Sequence, residues 1–398
     1  MIRKLSALIS VLLLLVLLTG CWSRRELNEL GIAVGIGVDK ADKGYRVTVQ
    51  IVSPGEIVSG KSSGNRTPVT VYEATAETIF EAIRKITTKS SREVYLAHLR
   101  VLIIGEQLAR EGMEKALDHF SRDHEVRTDY FVIVAKDTTA SNVLKVLTPI
   151  EKIPANNLYL SLNSSEKLWA PTATITLDEL ISDFVSEGKS PVLSAVSVIG
   201  GKAGHSQKNI ENISPTGYLK YSGLAVLQGG KLVGYLNEKE SKGYSYITDR
   251  VQNTVGLASC PNGGKLALEV ISSKTKVKGK VVNDQPQIQI EVKTEENVGE
   301  VECELDLTKR ETIAELEQLA NQKVASIIKT TVKKVQNDYK SDIFGFGEAI
   351  HRADPAAWRQ LKENWHEVFP KVDVIVNVHT EIRRIGTVAN SFQNERKE

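Results

Sequence analysis

Cysteine is scarce in this chain, with three in 398 residues at positions 21, 260 and 303. So few exclude a disulfide framework of the kind that holds small loop-rich folds together. Net charge is nearly absent: Lys and Arg total 51 against 49 Asp and Glu. That balance argues against nucleic acid as a partner, because such binding needs a basic footprint. Beyond the first twenty residues no run approaches 18 apolar residues, so no further segment is expected to span a bilayer. There is no internal repeat.

Catalytic and cofactor motifs are missing too. The chain has no His-Glu-x-x-His and no Cys/His nucleophile arrangement. Gly31, Gly35 and Gly37 invite a dinucleotide reading, but they lie inside a strand that ends in a hairpin. The fingerprint has to leave a strand and open a helix. His119 and His124 are five residues apart and diverge by about 140° on a helix, so they share no ligand face there. Their segment reads as a charged helix exit rather than as a metal site completed by Asp123. No catalytic residue, metal or cofactor is expected.

What is present starts at the N-terminus. Arg3 and Lys4 precede an apolar core from Leu5 to Leu18. As a helix that core reaches only ~21 Å, short of a ~30 Å hydrocarbon layer, which reads as a signal peptide. Leu18-Thr19-Gly20-Cys21 then resembles the lipobox of bacterial lipoproteins, with Cys21 as the thiol that accepts diacylglycerol. Two lipid signals anchor stably where one does not. Loss of residues 1–20 removes two basic charges and no acidic one, leaving 49 of each sign in the mature chain.

The remaining length suggests several domains of mixed α/β character, with sheets covered by helices. We expect a signal peptide over 1–20, an N-terminal mixed α/β domain over 21–200, a small middle domain over 201–256, a C-terminal α+β domain over 257–390 and a tail over 391–398. In the first domain, Leu30–Val38 and Tyr45–Val52 form a hairpin around a Gly-ending polar turn. Apolar strands at Leu99–Ile104 and Tyr130–Ala135 alternate with helices, among them one from Glu106 to Phe120. Pro149–Pro171 reads as an irregular connector, and Thr176 with Glu179 as a capping box. The middle domain is a hairpin turning at Gly229-Gly230. In the last domain three alternating strands predict an antiparallel sheet. A long helix from Thr308 to Tyr339 packs on it, and Lys274–Lys280 forms a solvated connection or edge.

Two further readings concern the last domain. Cys303 falls on the apolar phase of its strand and reads as a buried free thiol rather than half of a disulfide. Residues Phe344 to Phe369 concentrate aromatic side chains in a chain with only 6% of them. Trp358 and Trp365 read most simply as a cap on the core. The sharper alternative makes Phe344, Phe346, Trp358 and Trp365 a partner-binding patch, since Trp is enriched at interface hot spots.

Several blocks taken together are similar to the Ger(x)C family. They are Cys21 to Leu27 (CWSRREL), Leu30 to Asp39 (LGIAVGIGVD), His98 to Gly112 (HLRVLIIGEQLAREG), Leu117 to Arg127 (LDHFSRDHEVR), Gly223 to Leu236 (GLAVLQGGKLVGYL) and Asp342 to Ile350 (DIFGFGEAI), with Trp358 and Trp365. Ser23 departs from the acidic residue that many members carry after the Trp. The resemblance implies a non-enzymatic lipoprotein C subunit of a spore nutrient germinant receptor. It implies partnership with the A and B receptor subunits and a place on the outer face of the inner spore membrane. Whether the subunit touches the nutrient stays open. A stand-alone, membrane-tethered solute-binding or envelope-hydrolysing lipoprotein is the alternative.

Overall fold

Central strands that are apolar at every position need cover on both faces. In the computed structural model of the chain, the described residues are 2–6, 29–53, 67–260, 263–283, 285–303 and 305–386. The lipobox and Cys21 lie outside them. Among them, nine strands form a first sheet: β1 (Leu30–Lys40), β2 (Tyr45–Val52), β3 (Val69–Ala76), β4 (Glu93–Tyr95), β5 (Val101–Gly105), β6 (Phe131–Ala135), β7 (Val192–Ile199), β8 (Tyr218–Gln228) and β9 (Lys231–Leu236). Their order is β3-β2-β1-β5-β6-β7-β8-β9, with β4 paired to the start of β1. The centre, β1-β5-β6-β7, is parallel, and antiparallel hairpins flank it on both sides.

Every residue of β5 and β6 is buried. Helices Ile79–Ile86, Glu106–Glu111, Glu114–Arg122 and Leu177–Val185 contribute to the core on one face. Helices Ala140–Leu144 and Pro154–Leu168 cover the other. The glycines of β1 serve this second layer. A Cβ on Gly35 would stand 2.8 Å from the Leu144 side chain, and one on Gly37 would stand 2.9 Å from Ala140 Cβ. These glycines let two helices lie directly on the strand.

The structure revises several expectations. The connector 149–171 contains the helix Pro154–Leu168, started by a proline at its first position. Ala155, Leu158 and Leu162 are its buried stripe, masked in the sequence by Asn and Ser. The expected helix over Glu106–Phe120 is two helices broken at Gly112, whose φ is 132°. The hairpin assigned to a separate middle domain is hydrogen-bonded to β7 and continues the first sheet. The capping box at Thr176 and Glu179 is present.

The second sheet is β10 (Thr254–Ser259), β11 (Lys265–Val282), β12 (Gln285–Val301) and β13 (Asp373–Arg384), in that order. The first three are antiparallel, but β13 runs parallel to β12. A strand reached by a tight turn must reverse direction. Here the helix Arg310–Lys334 and the segment after it intervene, and such a crossover brings the chain back in parallel. The lysines at 274, 276, 278 and 280 are exposed on the half of β11 that extends past its pairing with β10. The long helix ends in one wider turn, Val335–Tyr339, closed by Lys340 N donating to Val335 O over 2.8 Å.

Cys260 and Cys303 are joined in a disulfide, which corrects the free-thiol reading. Both lie in a small apolar cluster with Leu266, Leu268, Leu307, Leu316 and Ala320 at one end of the second sheet. The burial of Cys303 is as expected; only the pairing of β10 with β11 and of β11 with β12 brings residues 43 apart into contact. Cys303→Ser is expected to lower stability by about 2–4 kcal/mol through the freed unfolded chain. Urea denaturation with and without reductant checks this: reductant should lower the wild-type midpoint and leave the variant's unchanged.

Candidate functional site at the seam between the sheets

One apolar cluster runs through both sheets, taking in Ile104 and Val134 of the first, Ile288 and Ile290 of the second, and Tyr244 and Phe344 between them. The two parts are therefore packed as one body, and the chain 339–348 stitches them. Tyr339 Oη donates to Tyr235 O over 2.8 Å, and Ser341 Oγ donates to Leu227 O over 2.8 Å. Ser190 N donates to Asp342 O over 2.7 Å, and Ser186 Oγ donates to Glu348 Oε1 over 2.9 Å.

Asp342 organises this seam. It is 4% exposed, and its carboxylate accepts four hydrogen bonds. Oδ1 takes the amides of Phe344 and Phe346, both at 3.1 Å. Oδ2 takes the amide of Gly347 at 2.8 Å and the indole Nε1 of Trp365 at 3.0 Å. Folding three amides from four consecutive residues around one carboxylate requires a left-handed residue, and Gly345 supplies it with φ 74°. Gly347 is needed for another reason. A Cβ there would meet Gly188 Cα and Trp358 Cη2, both at 2.7 Å. The two chains cross glycine on glycine.

Four aromatic residues nominated as a partner patch lie here, and the structure moves them inside. Phe346 is fully buried, and Phe344, Trp358 and Trp365 are 7%, 2% and 5% exposed. Phe344 and Phe346 stack at 5.0 Å between centroids, and Trp358 meets Trp365 edge-on at 5.2 Å. Phe369 closes the group against Phe346 and Trp365. With no exposed face, these side chains offer nothing for a partner to land on. Their partner is the rest of the chain. The Asp342 nest was missed from sequence, although an Asp two residues ahead of Phe-Gly-Phe-Gly is its signal.

Elsewhere His119 is half-buried beside Phe80, and His124 is exposed in the following turn. Among the described residues no group of three or more His, Cys, Asp or Glu could hold a metal ion. Nor is any helix among them long and apolar enough to cross a membrane.

Fold and seam together define an α+β body, two mixed sheets joined across a buried carboxylate. Comparison with known proteins gives it a lineage. Residues 23–198 match the spore germination protein N-terminal domain, and residues 222–386 match the C-terminal family described as spore germination B3/GerAC like. Spore germination protein KC of Bacillus subtilis (strain 168) is 33% identical over 100% of both chains. Spore germination protein YndF of the same organism is 27% identical over 97% of this chain and 98% of its own. The crystal structure of the GerBC protein covers 87% of this chain and 96% of that one, with a TM-score of 0.54 and 23% identity, a likeness of fold. The chain belongs to the Ger(x)C family of spore germination proteins.

Proposed function

We propose that this protein is the lipid-anchored C subunit of a nutrient germinant receptor, and that it works through contacts with the A and B subunits rather than through catalysis. The observation that carries this reading is full-length similarity to spore germination protein KC, joined to a lipobox at the matching end of the chain. The disulfide supports an extracytoplasmic place, because such bonds persist in oxidising compartments. A body packed through one continuous core suits a subunit that passes a displacement from one contact surface to another. On this reading Cys21 carries the lipid and holds the body on the outer face of the inner spore membrane.

Cys21→Ala is expected to abolish incorporation of radiolabelled palmitate and release the protein from the membrane fraction, while the body melts as the wild type does. Label retained by the variant would remove the anchor from the proposal. Affinity purification from spore membranes should recover A and B subunits with the wild-type chain. Their absence would favour a tethered protein that acts alone.

A further inference from the structure

The helices Ile79–Ile86 and Glu114–Arg122, with the turn after the second, enclose a cleft of about 300 Å³ that plays no part in the seam. Its walls carry both signs of charge and an aromatic surface. Arg84 and Arg122 supply guanidinium groups, and Asp123 and Glu125 supply carboxylates. The Phe80 ring is 54% exposed at the cleft. The Arg84 guanidinium lies over it at 5.1 Å, and the His119 ring leans against it at 5.9 Å.

Donor capacity is left over. Arg122 gives Asp118 only its Nε, at 2.8 and 2.9 Å, so its two terminal nitrogens have no protein acceptor among the described residues. Arg84 reaches Glu93 only at 3.7 Å, beyond hydrogen-bond distance. His119 Nε2 is buried without a hydrogen-bond partner. Desolvation lowers the pKa of this imidazole, so the ring adds no positive charge to the wall. A plain anion entering here would face the carboxylates, and a plain cation would face the guanidiniums. A group bearing both charges answers both walls.

We propose that this cleft binds a small zwitterion, its anionic end on Arg84 and Arg122, its ammonium on the Asp123 side, and its carbon skeleton against Phe80. Two sources share that chemistry, a free α-amino acid and the phosphoethanolamine headgroup of a lipid. The second source has a topological argument that rests on the anchor proposed above. Glu93, beside the cleft, donates its amide to Glu29 O over 2.9 Å, where the described body begins. The eight Cα–Cα steps from Cys21 to Glu29 span at most ~28 Å, so the bilayer surface is within reach.

Isothermal titration of the mature chain in a non-ionic detergent tests the proposal. The probes are alanine, phenylalanine and glycerophosphoethanolamine, with ethanolamine, acetate and glycerol 3-phosphate as half-ligands. Saturable binding of a zwitterion at least about tenfold tighter than any half-ligand is expected, with loss in Arg84→Gln/Arg122→Gln and weakening in Phe80→Ala. These three side chains are exposed, and unchanged melting curves verify that the variants fold. Preference for an amino acid identifies a free solute, and preference for glycerophosphoethanolamine identifies the headgroup. The wild-type ratio of zwitterion to half-ligand decides the matter even without variants. Absence of zwitterion binding up to about 10 mM, equal binding of half-ligands, or undiminished binding by the double arginine variant overturns the proposal. None of these readouts depends on lipidation or germination, so failure here is distinct from failure of the receptor assignment.

Discussion

Asp342→Ala is expected to destabilise the chain by about 3–5 kcal/mol at neutral pH, the largest effect of a single side chain outside the aromatic core. Four donors lose their acceptor at once: the amides of Phe344, Phe346 and Gly347 and the indole of Trp365. They sit where water does not readily replace the carboxylate, since Asp342 is 4% exposed. Asp342→Asn retains one carbonyl oxygen but aims an amide group at two donors, so about half that loss is expected. Urea denaturation of both variants measures it. An alanine variant that unfolds with the wild type would show that the nest contributes nothing.

The same residue gives a pH signature. Burial outweighs the four donors and pushes the Asp342 carboxyl up to about 6 from 3.8. The folded chain then holds this proton more tightly than the unfolded chain does. The part of the stability linked to this proton is fully present below the unfolded value of 3.8 and is lost as the pH rises through about 6, while the four hydrogen bonds to the carboxyl group remain. The stability advantage of the wild type over Asp342→Asn is therefore expected to be largest near pH 4 and to shrink toward pH 7. An advantage that grows over this window would mean the ionised form is the one the fold prefers.

Trp358→Ala and Trp365→Ala are each expected to cost about 3–5 kcal/mol, the loss typical of emptying a buried indole site. Trp365 loses a hydrogen bond as well as volume, so its effect and that of Asp342→Ala should not add. A double-mutant cycle measured by urea denaturation reads the coupling directly. Wild-type stability in either single variant would return that side chain to the surface and to the role of a partner anchor.

Much of this was legible because it is local. The hairpin around Gly44, the wholly apolar β5 and β6, and the Thr176 capping box follow from alternation, β-branching and spacing along a few residues. The helix Pro154–Leu168 was not, because its five buried residues include a proline and a glutamate, and only Ala155, Leu158 and Leu162 carry the apolar spacing. The parallel placement of β13 and the Cys260–Cys303 bond depend on which distant strands pair. The cleft escaped for the same reason, since Phe80 and Arg84 come from one helix and His119 and Arg122 from another.

The sequence alone determined which residues are apolar and where the first hairpin and the buried strands β5 and β6 lie; each depends on neighbours along the chain. It also carried the family, because matching blocks recur in order from Cys21 to Trp365. Only the tertiary structure decided that Phe344, Phe346, Trp358 and Trp365 are core rather than surface. An aromatic side chain reads the same in sequence either way, and its exposure is set by what crosses it. Here that is Gly188 against Gly347, a contact between residues more than 150 positions apart.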